Sequence, residues 1–122
     1  MAREIETKCI HLEEEENSIN HYGAISYPIY QSATYAHPGV GQSTGYDYSR
    51  LQNPTREHLE KTVASLENGI DALAFSSGMA AITLMMELFK PGDHLIVDAD
   101  LYGGSIRLFN HVSEKNGIEF PV

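Results

Sequence analysis

With Cys9 as its single cysteine, the chain has no partner for an intramolecular disulfide, which excludes the small disulfide-stapled scaffolds and agrees with a reducing compartment. Basic residues are scarce: eight Lys and Arg stand against seventeen Asp and Glu, giving a formal net charge of -9. Such a balance repels phosphate backbones and anionic lipid, and no basic patch with interleaved aromatics offsets the acidic run Glu13 to Glu16, which reads as a solvated helix face. Nucleic acid and membrane are therefore not expected as partners. No apolar run is long enough to span a bilayer, and the N-terminus lacks the apolar core of a signal peptide, so a cytoplasmic protein is expected. His11, His21, His37, His58, His94 and His111 are scattered without HxxxH or Cys-paired spacing, and no metal site is expected.

Two regions differ in texture. Residues 1–53 are irregular after a short N-terminal helix, rich in Tyr, Ser, Gly and Pro. From Pro54 the pattern becomes regular: Leu59, Val63 and Leu66 recur at helical spacing, Glu57 stands four residues before Lys61, and Gly69 is the expected C-terminal cap. A strand is expected near Asp71 to Phe75, a helix from Ala80 to Phe89 ended by Pro91-Gly92, a second strand at His94 to Val97, and a third helix from Gly104 to Lys115. Met85 and Met86 are expected to fill the core. Alternation of strand and helix predicts an α/β fold with a parallel sheet.

Two anion-handling devices stand out. Tyr48 and Arg50, at i and i+2, would project from one side of an extended segment, a phenol donor beside a rigid cationic fork. Asn53 and Pro54 after them read as the N-cap and first residue of a helix. Further on, Ser76-Ser77-Gly78-Met79 forms a strand-to-helix turn with outward backbone amides, and glycine lets a phosphate approach closely. No Gly-x-Ser-x-Gly elbow surrounds the two serines, so neither reads as a nucleophile.

In this order the motifs resemble the Cys/Met-metabolism family of pyridoxal 5'-phosphate (PLP) enzymes, which includes the cystathionine γ-synthases, γ-lyases and O-acyl-homoserine sulfhydrylases. The resemblance runs from Gly23 to the last residue, with further landmarks at Pro28 to Tyr35, Pro91-Gly92-Asp93 and Leu101 to Ser105. It implies the N-terminal part of a fold-type I PLP-dependent transferase. Residues 1–53 would be an arm reaching a neighbouring subunit. Residues 54–122 would begin the three-layer α/β/α large domain, with an incomplete sheet that leaves Leu73-Ala74-Phe75 and Leu95-Ile96-Val97 with unpaired edges.

By the same resemblance, Tyr48 and Arg50 bind the phosphate of a neighbour's cofactor. Gly78 and Met79 offer amides to the phosphate of their own subunit. Tyr102 stacks on the pyridine ring and handles protons, as the catalytic residue expected within this chain. The implied protein is a homo-oligomer, a dimer of dimers, or is completed by a C-terminal chain. Its implied reaction is γ-replacement or γ-elimination on a small amino-acid substrate in trans-sulfuration. Gly104 stands where methionine γ-lyases usually carry cysteine, which favours a cystathionine γ-synthase-like member.

The family's Schiff-base lysine lies beyond Val122, and Lys8, Lys61, Lys90 and Lys115 do not sit in its motif, so the chain reads as a portion inactive alone. The alternative is a non-catalytic remnant or assembly partner that completes a full-length relative's site.

Overall fold

Asn53 starts the longest helix as its sequence predicts. The computed structural model describes residues 4–11, 22 and 24–120. The acidic run Glu13 to Glu16, His21 and the last two residues lie outside that range. Contacts divide the chain into two units, Met1–Ala74 and Phe75–Val122.

In the first unit, helix α1 (Ile5–Lys8) packs against α2 (Pro54–Leu66). The Asn53 side chain accepts from the Thr55 and Arg56 amides, and Pro54 occupies the first turn, where its missing N–H costs nothing. At the far end the cap differs from expectation. Asn68, with a left-handed φ of +54°, makes the reversal, while the Gly69 N–H closes on the Ala64 carbonyl at 2.8 Å. This is the six-residue Schellman closure, with asparagine in the place that glycine usually fills. The expected apolar stripe of α2 is only partly covered: Ala64 and Pro54 are buried, whereas Leu59 and Val63 are exposed. Segments 33–35 and 47–49 pair antiparallel through the Tyr35 N–H to the Asp47 carbonyl at 3.1 Å and the Ser49 N–H to the Ala33 carbonyl at 2.9 Å.

In the second unit, α3 (Gly78–Met86), α4 (Gly103–Leu108) and a π-helix (Phe109–Ser113) surround a small core of Met86, Phe109 and Ile118. The Phe109 and Phe120 rings stack at 4.8 Å. Met86 fills the core as expected, but Met85 is exposed. Helix α3 stops at Met86 rather than Phe89, and Pro91-Gly92 lie in a separate turn held by the Lys90 N–H on the Asp93 carboxylate at 2.7 Å. The expected third helix widens into the π-turn after Leu108.

Neither expected strand forms a ladder among the described residues. His94 makes one parallel bridge with Glu119, and the 71–75 segment makes none. The side-chain pattern of a strand persists nonetheless, because Leu95 and Val97 pack on the core while Ile96 is 79% exposed. A strand is defined by its neighbours, and only residues 117–120 lie beside 94–97. Leu73 is likewise 64% exposed. No helix among the described residues is long and apolar enough to cross a membrane.

Candidate functional site

The sequence-predicted residues fall into two groups, one in each unit. In the first unit Tyr48 and Arg50 are brought together, though not by an extended segment. Tyr48 pairs with Thr34 and the chain then turns, with its carbonyl accepting the Leu51 and Gln52 amides at 2.9 and 3.0 Å. Arg50 therefore folds back, and its guanidinium carbon lies 5.1 Å from the centre of the Tyr48 ring. A guanidinium over a phenol face gains cation–π attraction while its N–H donors remain available. The nearest acid in sequence, Asp47, is occupied elsewhere, by Ser43 Oγ at 3.0 Å and His37 Nε2 at 3.4 Å. Arg50 forms no ion pair among the described residues.

The turn is held from below by Asn53, whose role as more than a cap has no signature in local sequence. Its Nδ2 lies 3.0 Å from the Tyr30 carbonyl, 3.0 Å from Ser49 Oγ and 3.2 Å from Tyr35 Oη. Thr55 adds a second tie, accepting from the Tyr30 N–H at 2.8 Å and donating to the Pro28 carbonyl at 3.1 Å. Tyr46 donates to Glu57, which also receives Lys61 Nζ at 2.6 Å. Burial first, and then that hydrogen bond, pushes the Tyr46 phenol well above its ordinary range. The bonds from Lys61 and then Tyr46 hold the Glu57 carboxyl below its usual value. The Glu57–Lys61 spacing was legible as a helical pair; the link to Tyr46, eleven residues away, was not. A cleft of about 600 Å³ beside α2 is lined by Tyr27, Tyr30, Arg56 and His58 and does not reach Tyr48 or Arg50.

In the second unit Ser77 caps α3 by accepting the Ala80 amide at 3.1 Å. The Gly78 and Met79 amides ahead of it have no acceptor among the described residues, and a Cβ built on Gly78 would meet nothing within 4 Å. Two free amides at the positive end of a helix, beside open space, fit the oxygens of a phosphate. Tyr102 is 70% exposed and lies against the same helix end: a Cβ on Gly104 would come within 2.5 Å of the Tyr102 ring and 3.1 Å of the Met79 sulfur. The unit thus offers anion donors and an exposed flat ring, the chemistry of a phosphorylated aromatic cofactor.

Comparison with known proteins agrees with that chemistry. Residues 6–122 match the family described as Cys/Met metabolism PLP-dependent enzyme. The chain belongs to this family. It is 50% identical over 120 residues to a cystathionine gamma-synthase/O-acetylhomoserine (thiol)-lyase of Bacillus subtilis, covering 98% of this chain and 32% of that protein. A cystathionine gamma-lyase of the same organism is 55% identical over 97 residues, covering 80% of this chain and 26% of the relative. Among solved structures, cystathionine gamma synthase from Xanthomonas oryzae pv. oryzae, in complex with aminoacrylate and cysteine, matches with a TM-score of 0.85 and 35% identity, over 99% of this chain and 31% of that one. The chain therefore spans about a third of the length of these relatives. Relatives named cystathionine beta-lyase match as well, at 49% identity over 100 residues for that of Lactococcus lactis.

Proposed function

We propose that this chain carries two half-sites for pyridoxal 5'-phosphate in a trans-sulfuration enzyme of the cystathionine γ-synthase type. The observation that carries the reading is the uncapped pair of amides at Gly78 and Met79, next to the exposed Tyr102 ring. When bound, the cofactor supplies an electron sink for chemistry at the substrate's carbons. The residues of this chain bind and orient it. Gly78 and Met79 donate backbone N–H groups to the phosphate, Tyr102 provides a flat face for the ring, and the Tyr102 hydroxyl holds or moves a proton. Tyr48 and Arg50 present a phenol and a guanidinium to the phosphate held by a neighbouring subunit. Residues 1–53 are the arm that carries them there, and residues 54–122 begin the three-layer α/β/α domain. A complete site accordingly takes at least two chains, and the exposed Leu73 and Ile96 are faces for the rest of the sheet. The substrate class is a small amino acid with a leaving group at its γ-carbon. Gly104 in place of cysteine favours replacement chemistry over methionine γ-elimination.

The test compares pyridoxal phosphate with unphosphorylated pyridoxal, each titrated into isotopically labelled chain and followed by NMR. Gly78 and Met79 amides and Tyr102 ring signals should move with the phosphorylated compound and stay in place with the other. After borohydride reduction, no single lysine among Lys8, Lys61, Lys90 and Lys115 should be modified stoichiometrically. Equal shifts with both compounds, or none with either, would remove the basis for the phosphate half-site.

A further inference from the structure

We infer that Arg56 is a positioning residue for the Tyr48–Arg50 half-site, an inference that rests on reading that pair as a phosphate binder. Arg50 stands in the turn between Ser49 and Leu51, and the carbonyls of those two neighbours are both held by one guanidinium: Arg56 Nη1 donates to the Ser49 carbonyl at 3.3 Å and Nη2 donates to the Leu51 carbonyl. The third edge of the same group is fixed as well. Arg56 Nε lies 3.7 Å from Glu60 Oε1, an oxygen that also accepts the Ala74 N–H at 2.8 Å. Arg56 is thereby pinned to α2 by Glu60 and grips the backbone on either side of Arg50.

The two arginines are given different work by their surroundings. Arg56 uses its donors on carbonyls and on Glu60, whereas Arg50 lies over the Tyr48 ring with no carboxylate partner among the described residues. Holding both flanking carbonyls sets the backbone direction at Arg50, so the Arg50 fork starts from one orientation instead of many. A planar fork can hold two carbonyls at once, which a lysine ammonium on a flexible stem does poorly. Arg56 also adds positive charge near the phosphate, and that contribution is separable because lysine retains it.

The experiment follows the Arg50 Nε–H signal of nitrogen-labelled full chain during titration with inorganic phosphate, against chloride at equal ionic strength. In the wild type the signal should move saturably with phosphate. Arg56→Gln and Arg56→Lys should each raise the phosphate dissociation constant at Arg50 by about three- to tenfold, with circular dichroism unchanged. A lysine variant that binds like wild type means that charge alone is at work and overturns the positioning role. No phosphate response at Arg50 in the wild type instead overturns the half-site reading beneath it. Should both variants lose their fold, the wild type decides: Arg56 must show separate, slowly exchanging Nη signals, and a freely rotating guanidinium refutes the inference.

Discussion

Replacing Asn53 by alanine would remove the acceptor that caps α2 and the donors that tie the helix to residues 30, 35 and 49. The cap is worth about 1 kcal/mol in typical protein hosts. Its two amides lie at 2.9 and 3.4 Å, so the shorter bond, from Thr55, carries most of that. On the donor side, Nδ2 faces three acceptors at 3.0 to 3.2 Å but has hydrogens for only a pair of good bonds, each worth about 0.5–1 kcal/mol where partly exposed. The expected loss for Asn53→Ala is thus about 2–3 kcal/mol. Asn53→Asp separates the contributions, because it keeps the acceptor, adds a favourable charge of about 0.5 kcal/mol at the helix N-terminus, and loses both donors. Aspartate should therefore cost about 1 kcal/mol less than alanine. Urea unfolding followed by far-ultraviolet circular dichroism measures the totals, and amide exchange at Thr55 and Arg56 reports the cap locally. Equal losses for the two variants, or no loss for alanine, would refute this assignment of roles.

Ser77→Ala should cost about 1 kcal/mol and speed amide exchange at Ala80, since the side chain caps α3 there. Asn68→Ala, at a left-handed φ of +54°, should cost about 1 kcal/mol in a urea melt, while Asn68→Gly should be tolerated. Spectrophotometric titration should find Tyr27 and Tyr46 ionising later than the other phenols, because burial raises both and Glu57 adds to each. Their contribution to stability is present below the ordinary phenol value of 10.0 and is lost as pH rises through the higher folded values. Glu57 has the opposite sign: its stabilisation is present above its ordinary 4.5 and fades as pH falls through the lowered folded value. Lys61→Met should shrink that acid-side loss in a pH series of melts. Gly104→Ala should displace the Tyr102 ring and the Met79 side chain, since the new methyl would lie 2.5 Å from one and 3.1 Å from the other; changed contacts between their NMR signals measure it.

Features set within a few residues were legible before the fold was known. Asn53-Pro54 announced the start of α2 and Ser77 the start of α3, because a cap is decided by its immediate neighbours. Strands are not local in that way. The apolar runs 71–75 and 94–97 have strand composition, yet one forms no bridge and the other a single one, since a ladder needs a neighbour of matching length. The same limit applied to the candidate site. Tyr48 and Arg50 could be picked out as a pair, but the turn that places one over the other depends on Asn53 and Arg56, whose contacts reach back across the arm. The cap at Asn68 was missed for a smaller reason: Gly69 beside it is the better left-handed residue on propensity alone, and the Ala64 contact selected the other.

The wide turn after Leu108 has a consequence for aligning relatives of this chain. Its backbone bond joins the Glu114 N–H to the Phe109 carbonyl at 2.9 Å, one residue further along than an α-turn would reach. The turn therefore stores one residue of length without breaking the helix, and it keeps Phe109 and Ser113 both buried. Deleting Asn110 would restore ordinary spacing and rotate everything after it by about 100° around the helix axis. A relative one residue shorter between Phe109 and Ser113 should be aligned with its gap inside this turn, because that is where the backbone can give up a residue and remain a helix.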